Sequence, residues 1–244
     1  MNDIYSTLLI PEEQRLTAIN KEEAEFIYNF LKDKKPKITL EVGFAFGFSA
    51  VYIMSATDST HYVIDAFQEK YDNLGLKNVE NNGFSNRLRF ENDFSHNALP
   101  KLLKENVKFD FAFIDGGHKF DEIFVDFYYL DLLLNEKAYV LFHDAWMRST
   151  QNVLAWIKNN KKNYRFIEVP VKNLILLEKI GSEDREWDHF KSFSFSRSWY
   201  LHQQVMRFLR PSLFFIDKQI GCLGLYIKKK NPSLYKLIRF KKDE

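Results

Sequence analysis

Cysteine is nearly absent from this chain. Cys222 stands alone among 244 residues, which excludes an intrachain disulfide framework and suits a reducing compartment. An excess of one charge is missing too: the formal net charge is +2, so nothing pulls the whole molecule toward nucleic acid. No apolar run is long enough to span a bilayer. The opening Met1-Asn2-Asp3-Ile4-Tyr5 lacks the basic-then-apolar form of a secretory leader. Repeats and low-complexity tracts are lacking as well. These absences lead to the expectation of a soluble cytoplasmic protein with no nucleic-acid partner. What the chain does hold is core material: 45% apolar residues and 16% aromatics, chiefly 24 phenylalanines. That is enough for one large α/β domain, or for a domain with an appendage.

The most informative stretch is Leu40-Glu41-Val42-Gly43-Phe44-Ala45-Phe46-Gly47-Phe48-Ser49-Ala50. Ile38 to Val42 reads as a short strand rich in β-formers. Ser49 is expected to cap a helix that continues through Val51, Tyr52, Ile53 and Met54. Gly43 and Gly47 lie between them. Glycine at a strand-turn-helix junction lets the backbone approach a ligand and aims the helix N-terminus at it. A tight turn made of glycine for steric reasons alone gives the same letters, so residues elsewhere must decide.

Before this stretch, Asn20 and Glu23 form a capping box for a helix whose Phe26, Ile27, Phe30 and Leu31 share one face. After it, strand and helix patterns alternate. Strands are expected at His61 to Ile64, Leu88 to Glu91, Phe109 to Ile114 and Ala138 to Phe142. Helices are expected over Gln68 to Asn82, over Leu99 to Asn106 with Pro100 in the first turn, over Phe120 to Leu134, and over Gln151 to Asn160. Inside the third of these, Asp126 and Asp131 are read as facing solvent or neighbouring side chains. Such alternation predicts a doubly wound, mainly parallel sheet. The pieces Tyr164 to Val169 and Leu174 to Glu178 follow too closely for a helix between them, which predicts an antiparallel pair at one edge. Residues 1–180 make the main domain, with 1–36 as a helical lead-in, and 181–244 form an aromatic, later basic extension.

In an open parallel sheet, ligands bind beyond the carboxyl ends of the strands. Here the strand ends carry Glu41 with the glycine turn, Asp65, Asn92-Asp93, Asp115-Gly116-Gly117-His118, and His143-Asp144. Taken singly, Asp65 or Asp93 reads as a cap or turn residue. Polar residues at all five tips behind apolar strands point instead to one nucleotide pocket, with Asp65 suited to a ribose diol and Asp93 to an adenine edge. A dinucleotide fold wants a third glycine in the turn, and this turn has none.

With these motifs in order (E-V-G-F-A-F-G-F-S, H-Y-V-I-D-A-F-Q, F-I-D-G-G-H, L-F-H-D-A-W), the chain resembles the class I S-adenosylmethionine-dependent methyltransferases over roughly residues 20–180. More narrowly it is similar to the metal-dependent O-methyltransferases of the catechol, caffeoyl-CoA and macrocin type. The resemblance implies a seven-stranded sheet and a cofactor site lined by Glu41, Gly43, Phe44, Gly47, Ser49, Asp65, Asp93 and Asp115. It implies a divalent cation, magnesium or manganese, at Asp115, His143 and Asp144, and places His118 near the family's lysine base. His143 departs from the family by offering nitrogen where a carboxylate is usual, which shifts the metal toward manganese, iron or zinc, or leaves His143 out of the ligand set. His118 stays open between base, ligand and structural roles.

The physical sense is direct. A sulfonium methyl is already activated, so the protein must chiefly align an oxygen behind it. A cation or a histidine then eases loss of the hydroxyl proton. The implied function is O-methylation of a small-molecule or glycan acceptor. The stretch Asp184-Arg185-Glu186-Trp187-Asp188-His189-Phe190 resembles relatives associated with surface-glycan and natural-product genes, which favours a sugar or natural-product hydroxyl. Two alternatives remain: metal-independent transfer to a phenol with His118 as base, and a non-catalytic cofactor-binding module. The lysine-rich end, Lys228-Lys229-Lys230 to Lys242, reads as a solvated or homo-oligomer-packing face, with a peripheral membrane contact as the competing expectation.

Overall fold

The computed structural model describes residues 4–193. Expectations about the aromatic and basic segment 194–244 lie outside the described residues. Helices α1 (Ile4–Thr7) and α2 (Lys21–Lys34) lead into β1 (Ile38–Val42). There follow α3 (Phe48–Ala56), β2 (Thr60–Ile64), α4 (Leu74–Asn81), β3 (Leu88–Glu91), α5 (Ser95–Lys104), β4 (Phe109–Ile114), α6 (Phe120–Leu133), β5 (Leu134–Phe142), α7 (Arg148–Asn160), β6 (Tyr164–Ile167) and β7 (Ile175–Lys179). The strands form one sheet in the order β3-β2-β1-β4-β5-β7-β6. Pairings among the first five are parallel, and β7 runs antiparallel to both β5 and β6. This is the expected doubly wound sheet with its antiparallel edge.

Strand alternation assigns each residue a side. Leu40, Val42, Ala112, Ile114, Val140 and Phe142 pack with α5, α6 and α7 in one apolar layer. Val63, Phe111, Phe113 and Leu141 pack with α2, α3 and α4 in the other. Helix α3 is buried from Phe48 through Met54; a helix apolar on every side is one enclosed by its neighbours. Among the described residues no helix is long and apolar enough to cross a membrane.

Several boundaries differ from those expected. The span read as one helix from Gln68 is a 3-10 turn, Gln68–Tyr71, then Asp72 and Asn73 in left-handed conformation, then α4. Two consecutive residues at positive φ break the helix there. Helix α3 begins at Phe48 with Gly47 as its N-cap, so Ser49 lies inside it and does not cap. Helix α5 begins at Ser95, which puts Pro100 in its interior. Asp126 and Asp131 are both buried, so of the two expected settings, solvent or neighbouring side chains, the second holds for Asp131. Asp131 accepts from the Tyr164 hydroxyl at 2.8 Å and pairs with Lys161, which also pairs with Glu183. The start of the extension is fastened down by the same region: the Asn160 amide accepts from Lys191 N (2.7 Å) and donates to Lys191 O (3.0 Å).

Candidate active site

Two glycines shape the site. Gly43 has φ +90°, and a Cβ placed on it would lie 2.2 Å from the Asp115 carbonyl oxygen. The tips of β1 and β4 therefore meet here backbone to backbone, as only glycine permits. Gly47 has φ +67° and ends the turn.

The carboxylate of Asp65 braces this turn. One oxygen accepts from the amides of Phe44 (2.9 Å) and Ala45 (3.0 Å), and the other from Phe67 N (2.6 Å). A carboxylate has about four acceptor positions, so three are spent on backbone before any ribose diol is met. Phe44 is buried, its ring 5.8 Å from Phe90; it supports the turn from behind.

Glu41 is wholly enclosed. Its carboxyl is bonded by the Ser49 hydroxyl and lies 3.1 Å from His61 Nε2, while His61 Nδ1 lies 2.9 Å from Thr39 Oγ1. Burial raises the Glu41 pKa well above the usual carboxylate range, with the charges of Asp115 and Asp65 adding to it and Ser49 opposing. Burial, helped by Arg87, pushes His61 down to about 3. Two of the expected cofactor residues, Glu41 and Ser49, thus face each other under the turn.

Asp93 stands at the tip of β3 and accepts from Asn97 (2.9 Å) and Lys101 (3.0 Å), which holds its pKa at about 2. Beside it, exposed Phe94 meets exposed Phe67 edge to face, centroids 5.5 Å apart. Two rings from neighbouring strand tips form an apolar wall to the cleft.

The chemistry-bearing cluster lies at the tips of β4 and β5. Asp115, His118 and Asp144 offer donor atoms that all fall within 4.8 Å of one another. His118 Nε2 is 2.6 Å from Asp144 Oδ2, and the His118 side chain is 45% exposed. The bond to Asp144 raises the His118 pKa against the effect of burial. Asp144 adopts φ +49°, a left-handed backbone that turns its carboxylate aside from the strand's own direction. Its other oxygen accepts from Trp146 Nε1 at 2.9 Å. Bonds from His118 and His143 outweigh burial and hold its pKa far below the ordinary range.

His118, left open between base, ligand and structural roles, joins that converging set, and His143, expected as a third ligand, stands beside it with Nδ1 3.7 Å from Asp144 Oδ2. Strand alternation puts His143 on the same face as Leu141 and Phe113, toward α2. There His143 Nε2 lies 3.0 Å from Asn173 Nδ2 and 3.4 Å from Glu23 Oε2. Its Nδ1 is 2.8 Å from Asp115 Oδ1, close in distance but off the line of a hydrogen bond. Burial opposes charge on this imidazole, but Asp115 first, then Asp144 and Glu23, push its pKa up to about 12. Glu23 and Asn173 were missed as site residues by sequence reasoning: Glu23 announces itself only as half of a capping box.

Comparison with known proteins agrees with this fold. The family described as "Methyltransferase domain" matches residues 40–145. A protein of Arabidopsis thaliana, provisionally named a caffeoyl-CoA O-methyltransferase, is 29% identical over 97 residues. That match covers 39% of this chain and 41% of the plant protein, so the chain spans about two fifths of the relative's length. Among solved structures, the O-methyltransferase TomG of Streptomyces achromogenes, in complex with SAM, superposes with a TM-score of 0.59 at 17% identity, over 73% of this chain and 96% of that one. An O-methyltransferase of Bacillus cereus in complex with SAH gives 0.59 at 14% identity, over 72% and 94%. At these identities the likeness is one of fold. Residues 40–145 are thus similar to a methyltransferase domain, and the sheet has the fold of those O-methyltransferase structures.

Proposed function

We propose that the protein is an S-adenosylmethionine-dependent O-methyltransferase in which Asp115, His118 and Asp144 hold a divalent cation, acting on a hydroxyl of a sugar, glycan or natural-product acceptor. The observation that carries this reading is the convergence of those three donors directly beside the Gly43 turn, whose backbone touches Asp115. Two carboxylates and one imidazole fit a divalent ion. The nitrogen donor favours manganese, iron or zinc over magnesium. The Trp146 bond to the far oxygen of Asp144 is the kind of outer contact that orients a ligand carboxylate.

A cation bound there would supply Lewis acidity, offsetting the charge a hydroxyl gathers as its proton leaves. The rest falls to the chain's own side chains. The N-terminus of α3 has no side-chain cap, so its free amides are available to the carboxylate of an amino-acid moiety. The Phe67 and Phe94 rings offer a face to a flat base. Asp65 keeps the turn in shape while sharing its remaining acceptor capacity with a ribose.

A second reading is favoured by the 2.6 Å His118–Asp144 contact. Without a cation, that pair is a histidine base oriented by a carboxylate, and transfer would be metal-independent. Calorimetric titration with S-adenosylhomocysteine, then turnover on hydroxylated acceptors with and without chelator, separates the cases. Cofactor binding with chelator-sensitive turnover supports the first reading. Turnover that survives chelation supports the second, and no cofactor binding removes both.

A further inference from the structure

Glu23 belongs to α2, outside the stretch 40–145 that matches the methyltransferase family. Its carboxylate is nevertheless buried against the cluster at the strand tips. Oε2 accepts from Asn20 N at 2.7 Å and lies 3.4 Å from His143 Nε2, while Oε1 accepts from Asn173 Nδ2 at 3.0 Å. The same imidazole presents Nδ1 to Asp115 Oδ1 at 2.8 Å. A continuous line of side chains therefore runs from the first turn of α2, through His143, to one of the three converging donors. Nε2 faces Glu23 and Asn173, while Nδ1 lies 2.8 Å from Asp115 Oδ1 and 3.7 Å from Asp144 Oδ2, so the ring stands between α2 and the two carboxylates of the cluster.

We propose that Glu23 is a positioning residue for Asp115, acting through His143: the carboxylate of α2 fixes the imidazole, and the imidazole fixes the direction of the Asp115 carboxylate. His143 is then an outer-layer partner of the cation site. The inference rests on the metal-assisted reading above and says what organises that site. An imidazole held between two carboxylates cannot swing without breaking a contact at one end. Outer partners of this kind typically change metal affinity by about 10–100-fold when removed. The lead-in helix becomes part of the site's geometry as well as a cover over one face of the sheet.

The capping box offers a clean separation of roles. Glutamine serves at its third position as well as glutamate does, so Glu23→Gln keeps the helix start while removing the charge beside His143. Asn20→Ala does the reverse: it deletes the side-chain cap but leaves the backbone amide that bonds Glu23. The experiment is Mn²⁺ titration of the full-length protein by calorimetry, with far-UV circular dichroism to verify folding, for the wild type, Glu23→Gln, His143→Gln, the double variant and Asn20→Ala.

The expected result is Mn²⁺ binding weakened about 10–100-fold in each of the two site variants. The double variant should be no weaker than the worse single one, because the two act in series, and Asn20→Ala should bind as the wild type does. Unchanged affinity in Glu23→Gln would overturn the proposal. So would losses that multiply in the double variant, or an equal loss in Asn20→Ala, which would make helix stability the cause. If the wild type binds no Mn²⁺, the metal-assisted reading falls and takes this inference with it. That outcome differs visibly from a wild type that binds beside variants that do not differ from it.

Discussion

Asp126 offers a prediction whose size follows from its surroundings. It sits in α6 with 1% of its surface exposed, and neither carboxyl oxygen has an aligned hydrogen-bond partner. Burial raises its pKa from 3.8 to about 6, against a smaller opposing effect of the Ser95 hydroxyl. A carboxyl whose pKa is raised by folding binds its proton more tightly in the native state. The stability tied to that proton is fully present below the unfolded value of 3.8 and is lost as pH rises through about 6. At 1.36 kcal/mol per pKa unit, the loss amounts to about 3 kcal/mol at most above pH 7. Asp126→Asn keeps the shape and removes the charge, so it should recover about 1–3 kcal/mol at pH 8. In a chain of this length that corresponds to a melting temperature roughly 2–10 °C higher. Near pH 4, where the native aspartate is protonated, the two proteins should differ by only a few tenths of a kcal/mol. Urea unfolding of both proteins at pH 4 and pH 8 measures this directly. An advantage of equal size at both pH values, or a variant less stable at pH 8, would show that Asp126 is not held as a desolvated acid.

Other consequences follow from the same geometry. Gly43→Ala forces a Cβ onto the Asp115 carbonyl and imposes a left-handed backbone on alanine. Overpacking of about 1–3 kcal/mol and conformational strain of about 1–2 kcal/mol should both appear, lowering the melting temperature and weakening S-adenosylhomocysteine binding at least tenfold by calorimetry. Lys161→Met takes from buried Asp131 the nearer of two ammonium groups and leaves Lys179 Nζ 3.7 Å away; urea unfolding at pH 7 should show a loss of about 1.5–3 kcal/mol. Asp115→Asn and Asp144→Asn should each abolish Mn²⁺ binding while circular dichroism stays native, whereas Asp93→Asn, engaged with Asn97 and Lys101 of α5, should leave Mn²⁺ binding unchanged.

The fold was readable because its strands are short apolar runs, α2 opens on the Asn20–Glu23 capping box, and Gly83 follows the end of α4 at positive φ. What escaped reading had physical causes. Helix α6 is apolar on nearly all sides, so its period cannot say which face is inward, and Asp126 and Asp131 stayed open between solvent and neighbouring side chains. Ser49 looked like a cap because serine usually is one; the positive φ of Gly47 starts the helix earlier and turns Ser49 toward Glu41. The acidic strand tips were visible as a set, and Asp115 and Asp144 do converge, together with His118. Which histidine completes the converging trio stayed open in the sequence. It depends on the left-handed turn at Asp144, which leaves no mark in local sequence. Glu23 lies 120 positions from His143, and only tertiary packing joins them.

The central claim is that the strand tips form one pocket for a sulfonium nucleotide beside a three-donor cation site. Titrating S-adenosylhomocysteine into the wild type and into Asp115→Ala, each with and without Mn²⁺, tests it most directly. Saturable one-to-one binding by the wild type, sharply weakened in Asp115→Ala and tightened by Mn²⁺ only in the wild type, is the predicted result. Absence of binding by the wild type, or binding indifferent to both the substitution and the cation, would contradict it.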